Sequence, residues 1–99
     1  MPKYDVFADP DGEGYLLDVQ TDFLDGLNTR IVVPLRTREM APKPAGRLNP
    51  LVRIGQDEHV LVTQFLAAVP ESILKHRVTN LRTEADKITT ALDMLTQGF

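Results

Sequence analysis

The sequence predicts a mostly β fold that ends in one α-helix. Short runs of β-branched and apolar residues alternate with Gly- and Pro-containing turns over the first 70 residues. Only the last segment has apolar residues at helical spacing. With 99 residues, the chain forms one domain, 1–99, whose core is modest and would gain from a dimer interface.

The first three strands are predicted at Lys3–Phe7, Tyr15–Gln20 and Arg30–Leu35. Ala8–Gly14 is the first turn, because its Pro fixes one φ angle and its Gly residues permit positive ones. Asp25–Asn28 is the second turn, since it supplies Gly and Asn between two apolar arms. The first two strands should pair antiparallel.

Two features are unusual for a plain hairpin. Asp18, Asp22 and Asp25 lie on or beside the second strand, and they predict a β-meander with a solvated acidic rim. Pro34 interrupts the third strand, which must therefore be an edge, a bulge or a bend.

The segment 36–49 is predicted to be irregular, because it contains two prolines and few strand or helix signals. A short strand near Glu39-Met40 is compatible with its pattern. A basic segment of this kind is either a solvated face or a landing site for phosphate or an acidic peptide. Its four cations are Arg36, Arg38, Lys43 and Arg47.

Two further strands are predicted at Pro50–Gly55 and His59–Phe65, around a turn at Gln56–Glu58. The second of them has apolar residues on both faces, which is typical of a central strand. Ala67–Pro70 extends it and ends it, because Pro donates no ladder hydrogen bond. A short helical turn can follow over 70–75.

The C-terminal helix is predicted at Glu84–Thr96. Thr83 and Asp86 have the spacing of a capping box, and Gly98 is a typical stop. Phe99 either folds under the helix or forms part of a presented surface. The apolar stripe consists of Ala85, Ile88, Leu92, Leu95 and Phe99.

Composition narrows the possible functions. The chain has no cysteine, which excludes disulfides, thiolate metal sites and cysteine nucleophiles. His59 and His76 lack partners at catalytic or ligand spacing, and the run 9–12 resembles a calcium loop only superficially, so we expect no cofactor, no metal and no enzymatic activity. A net charge of -3 argues against direct DNA binding. The absence of a long apolar run or signal segment predicts a cytoplasmic protein without membrane contact.

These segments together resemble the CcdB family, the toxins of plasmid and chromosomal toxin–antitoxin modules. The resemblance spans nearly the whole chain and is carried by Tyr15–Asp22, Val33–Leu35, Leu51–Gly55, Ala68–Pro70 and the helix that closes on Gly98. It implies a CcdB/MazF-like fold: an SH3-like barrel or strongly bent five-stranded antiparallel sheet with a C-terminal helix. It also implies a homodimer.

The resemblance further implies a target and a neutralising partner. Family members bind the A subunit of DNA gyrase and trap the enzyme on cleaved DNA. A CcdA-like antitoxin removes them with a disordered tail, and the two proteins together repress their operon, with only the antitoxin touching DNA. On charge alone, the cations of 36–47 are the expected landing site for that tail.

The family's gyrase-binding surface corresponds to seven positions here: Phe23, Leu24, Asp93, Thr96, Gln97, Gly98 and Phe99. Gly98 matches the family pattern, and Phe99 keeps apolar bulk. Gln97 replaces an aromatic anchor, and Asp93 adds a charge that binding must desolvate.

Two alternatives to a gyrase-poisoning toxin stay open, the first because toxins of the MazF type share the same barrel. One is an endoribonuclease of the MazF type, in which Arg30, Arg36 and Arg38 would act with Asp22 or Glu39 on RNA. The other is a non-toxic homologue that retains antitoxin binding, as Gln97 suggests.

Overall fold

The computed structural model describes residues 1–99 as one antiparallel sheet with a single α-helix at its end, so the predicted fold class is confirmed. Short 3₁₀ turns connect several of the strands, and no helix has the length and apolar character needed to cross a membrane. The elements are β1 (Asp5–Ala8), β2 (Tyr15–Asp18), β3 (Thr29–Arg36), β4 (Leu51–Ile54), β5 (Asp57–Leu61), β6 (Ala67–Pro70), β7 (Arg77–Asn80) and α1 (Ala85–Gln97).

The strand order is β4-β5-β3-β2-β1-β7, and β6 also pairs with β3. Strand β3 changes partner along its length, because 29–32 pair with β6 whereas 35–36 pair with β5. Pro34 lies between these two regions, and its carbonyl accepts the N–H of Val62 at 2.9 Å. In a strand, the N–H and C=O of one residue face the same neighbour, so the N–H that Pro34 lacks would face the side of β3 where the partner changes from β6 to β5. No hydrogen bond of the β2–β3 ladder is therefore lost. Strand β3 is not an edge, because β2 lies on one side of it and β5 and β6 on the other, and its register with β2 contains no bulge.

Neighbouring residues in β1, β2 and β3 point to opposite faces of the sheet. Each face carries its own cluster of buried apolar side chains. The larger cluster packs under α1 and includes Val6, Leu17, Val33, Ile88 and Ala91. The smaller cluster lies on the other face and consists of Phe7, Leu16, Val32 and Leu74.

The sheet has seven strands where the sequence interpretation has five. The sequence interpretation has no strand at 77–80, where β7 pairs with β1. The predicted short strand at Glu39-Met40 is wrong, since residues 38–40 form a turn. The strand expected over His59–Phe65 begins earlier and ends at Leu61, and 63–65 form a 3₁₀ turn.

The capping box is also wrong. Thr83 belongs to a 3₁₀ turn over 82–84, and no side chain caps the first turn of α1. Just before this turn, the Oδ1 of Asn80 accepts the N–H of Arg82 at 2.8 Å. The predicted stop is confirmed: Gly98 has φ 83° and donates to the carbonyls of Asp93 and Met94.

Gly14 provides the close approach between β2 and β3. Its φ is 93°, and a Cβ there would overlap the carbonyl oxygen of Leu35. We expect Gly14→Ala to lower the free energy of unfolding by about 3 kcal/mol or more, since backbone strain and overlap act together. Gly12→Ala is the matched control, because no atom lies within 4 Å of its Cβ position. Urea unfolding of both variants checks this, and equal stabilities would contradict it.

Candidate functional site

Phe23 is the most exposed large apolar side chain, with 98% of its surface accessible. It lies on a 3₁₀ turn, Asp22–Leu24, between β2 and β3, and Leu24 beside it is 47% exposed. Thr21 caps this turn by accepting the N–H of Phe23, and Asp22 accepts the N–H of Lys3 at 2.8 Å. Apolar surface held out by an ordered turn is typical of a binding site.

Gln20 fixes the base of the loop that carries Phe23. Its side chain is nearly buried, and its Oε1 accepts the N–H of Ile31 at 3.1 Å. Its Nε2 donates to the carbonyls of Leu24 and Thr29 at 3.3 and 3.2 Å. One amide therefore ties the tip of the loop to its far end, which restricts the directions that Phe23 can take.

Arg30 and Asp18 form a completely buried ion pair under the same loop. Both side chains are 0% exposed, and the Arg30 Nε donates to Oδ2 of Asp18 at 2.9 Å. Arg30 also donates from Nη1 to Asp25 at 3.2 Å and from Nη2 to the carbonyl of Met1. The predicted acidic rim is therefore wrong for Asp18, although Asp22 and Asp25 are exposed.

Burial raises the pKa of Asp18 above its ordinary value of 3.8, and the hydrogen bonds from Arg30 and Gln20 offset only part of this shift. The folded protein thus binds this proton more tightly than the unfolded chain does. The contribution of Asp18 to the free energy of unfolding is present below pH 3.8 and is lost as the pH rises through the raised pKa.

The stability of Asp18→Asn should therefore fall less steeply with pH than that of the wild type above pH 3.8. Urea unfolding of both proteins over a series of pH values measures the two slopes. The other carboxyl groups are common to both proteins, so the difference in slope reports Asp18. Parallel curves would contradict the raised pKa.

The second exposed apolar surface lies at the end of α1. Phe99 is 73% exposed and Leu95 36% exposed, so the apolar stripe of the helix continues beyond the core that buries Ile88. Phe99 therefore does not fold under the helix. Gln97 and Thr96 are exposed, and Gln97 Nε2 donates to Asp93 at 3.2 Å.

The seven sequence-predicted positions form two groups. Phe23 and Leu24 lie on the loop after β2, whereas the other five lie at the end of α1 or just beyond it. No hydrogen bond or ion pair joins the two groups within one chain.

Two of the four cations of 36–47 are paired with carboxylates of the same chain. Arg36 lies 3.2 Å from Asp9, and Arg38 lies 3.6 Å from Glu58. Lys43 and Arg47 are exposed and have no carboxylate within 4.0 Å. Half of the predicted positive charge is thus neutralised within the chain.

The groups considered for RNA cleavage do not converge. Arg30 is buried and paired with Asp18, while Arg36 is held by Asp9. His59 is buried beside Tyr15 with the two rings edge to face, and His76 is exposed. No group of three or more acidic, His or Cys side chains is arranged to hold a metal ion.

Sequence reasoning missed the role of Gln20 and Arg30 in anchoring the loop. A signal was present, because Arg30 lies two residues before Val32, which pairs with Asp18 across β2 and β3. Residues in this diagonal relation share a face of the sheet, but the relation becomes visible only once the β2–β3 register is known.

The model of the family described as "CcdB protein" matches residues 3–98, which is nearly the whole chain.

Proposed function

The chain belongs to the CcdB family, toxins of toxin–antitoxin modules, and from this premise we propose that it binds the DNA gyrase A subunit and traps gyrase on cleaved DNA. The observation that carries the proposal is the exposure of two aromatic side chains, Phe23 on a 3₁₀ turn and Phe99 just beyond α1. Both belong to the surface that the family resemblance assigns to gyrase binding. The protein acts in the cytoplasm, where gyrase works.

The proposed gyrase-binding surface has an apolar and a polar part. Phe23, Leu24 and Phe99 supply buried area, and exposed aromatic residues are frequent hot spots. Gly98 sets the direction in which the chain leaves the helix, since its positive φ ends α1. The polar part consists of Asp93, Thr96 and Gln97.

A homodimer brings this surface to gyrase twice. A two-fold dimer presents each patch in two copies, which matches a two-fold gyrase A dimer. The exposed apolar run Phe65–Ala68 supports self-association, because it includes part of β6, whose only strand partner is β3. Dimerisation also brings a loop and a helix end from different protomers within reach of one target.

The mechanism needs no chemistry from the toxin. A ligand shifts a conformational equilibrium only by its different affinities for the two states. The toxin dimer binds the cleaved-DNA form of gyrase more tightly than the resealed form, and cleaved complexes therefore accumulate. Phe23 contributes to this difference when its ring enters a pocket that only the cleaved form offers.

A CcdA-like antitoxin neutralises the toxin with an acidic or mixed-charge tail that orders on binding. Among the four cations of 36–47, Lys43 and Arg47 are the ones free to attract it, while Arg36 and Arg38 would first have to leave their carboxylate partners. The toxin reaches DNA only through the antitoxin.

A cleavage assay tests the proposed target. Purified protein is mixed with gyrase, ATP and supercoiled plasmid, and linear DNA is measured after detergent and protease treatment. We expect linear DNA to accumulate, and expression to arrest growth unless the gyrase A subunit carries protective substitutions. Arrest without cleaved complexes would show that gyrase is the wrong target, and degraded RNA in its place would indicate an endoribonuclease.

Gln97 favours one second candidate, a non-toxic homologue that still binds antitoxin. Its amide is hydrogen-bonded to Asp93, and no aromatic ring occupies this position. If the wild type is inactive in the cleavage assay, Gln97→Trp should create activity, because it restores the anchor. An inactive Gln97→Trp protein that is folded would contradict this role for the position.

A further inference from the structure

A groove of about 500 Å³ lies directly beside Phe23. It is formed where the chain start, the loop after β2 and the turn before α1 meet. Its lining residues are Lys3, Tyr4, Thr21, Asp22, Phe23 and Arg82.

Two cations of this groove are not neutralised within the chain. Lys3 Nζ lies 5.1 Å from the centre of the Tyr4 ring, and the guanidinium carbon of Arg82 lies 6.0 Å from it. Neither side chain has a carboxylate within 4.0 Å, whereas nearby Arg77 is paired with the buried Asp5. Both positive groups therefore lie beside the Tyr4 ring and line the groove without a carboxylate partner in the chain.

Tyr4 is the one residue other than glycine with a positive φ, at 75°. Its N–H donates to the carbonyl of Asp18, and its own carbonyl accepts the N–H of Leu81. These two bonds hold a backbone conformation that Tyr rarely adopts. Backbone strain of this kind is concentrated at binding and functional sites. Here it lies at Tyr4, which lines the groove.

Asp22 limits what the groove can accept. Its Oδ1 is engaged by the backbone N–H of Lys3, and its carboxylate places a negative charge at the Phe23 end. A polyphosphate backbone would meet this charge, and the chain as a whole carries -3. A peptide can instead place a carboxylate near the cations and an apolar side chain near Phe23.

We propose that this groove binds an acidic segment of the antitoxin tail, with a carboxylate between Lys3 and Arg82 and an apolar side chain against Tyr4 and Phe23. The proposal rests on the proposed function, since it assumes a toxin neutralised by a tail. It adds a second contact beyond the cations of 36–47. Because the bound segment covers Phe23, tail and target exclude each other at this loop.

The probe is an acetylated and amidated peptide of alternating glutamate and leucine, and its counterpart with glutamine in place of glutamate is the comparison. Titration into the full chain, followed by amide NMR, should shift Lys3, Phe23 and Arg82 with the acidic peptide only. Lys3→Gln combined with Arg82→Gln should weaken binding about tenfold or more, because charge-assisted hydrogen bonds are lost. Lys75→Gln, an exposed cation outside the groove lining, is the matched control and should bind as the wild type does.

Each other result overturns the proposal. Equal binding of the glutamine peptide would show that the groove does not recognise the carboxylates of the peptide. Equal weakening of peptide binding in Lys75→Gln would show that only the net charge of the protein matters. Tighter binding of oligothymidylate than of the acidic peptide would assign the groove to nucleic acid, and shifts confined to 36–47 would leave the groove without a ligand. The titration contains no gyrase, so its outcome is separate from the cleavage assay: a failed cleavage assay with a positive titration rejects the target alone.

Discussion

Arg30→Met is expected to destabilise the fold by about 3–5 kcal/mol, because it leaves the Asp18 carboxylate buried without its cation. The bond from the N–H of Gln20 is then the one hydrogen bond that the Asp18 carboxylate keeps. Urea unfolding monitored by circular dichroism measures the loss.

Two further proteins separate this effect from the general loss of an arginine. Arg53→Met removes an exposed arginine on β4 and should change stability by less than about 0.5 kcal/mol. Asp18→Leu combined with Arg30→Met should recover much of the lost stability, since removing both buried charges is often neutral. If Arg30→Met were as stable as Arg53→Met, the buried pair would have no structural role.

Phe23→Ser is expected to weaken the proposed gyrase interaction by about 2 kcal/mol, or roughly thirtyfold, while leaving the fold intact. The side chain is 98% exposed in the free protein, so its removal takes nothing from the core. The measurement is the protein concentration that gives half-maximal cleaved DNA with gyrase.

Met40→Ser is the matched control for this substitution. Met40 is also apolar and 59% exposed, but it lies in the turn after β3 and not on the loop that carries Phe23. The concentration of Met40→Ser protein that gives half-maximal cleaved DNA should equal that of the wild type. If both variants lost activity equally, the loss would reflect general surface hydrophobicity and not a contact made by Phe23.

The local parts of the fold could be predicted from the sequence because local residues decide them. Alternating apolar residues predict β2 and β3, and the helical stripe with Gly98 predicts α1 and its end. Strand β7 could not be predicted in this way. Its polar residues pair with β1, about 70 positions earlier, and Asp5 accepts hydrogen bonds from both Arg77 and Asn80.

In the candidate site, too, the features that depend on contacts between distant residues could not be predicted from the sequence. Exposure of Phe99 was one of two alternatives in the sequence, and it depends on how much of α1 the sheet covers. Asp18 looked like part of a solvated rim because its partner, Arg30, is twelve residues away and across a turn. The pairing of Arg36 with Asp9 likewise depends on tertiary contacts, so charge alone overstated the basic segment.

Calorimetric titration of the purified protein into the dimeric gyrase A subunit tests the proposed target most directly. The proposal predicts saturable binding of one toxin dimer to each A-subunit dimer, with affinity reduced in Phe23→Ser and unchanged in Met40→Ser. A folded, dimeric wild-type protein that releases no binding heat at any temperature tried and fails to co-elute with the A subunit would contradict it.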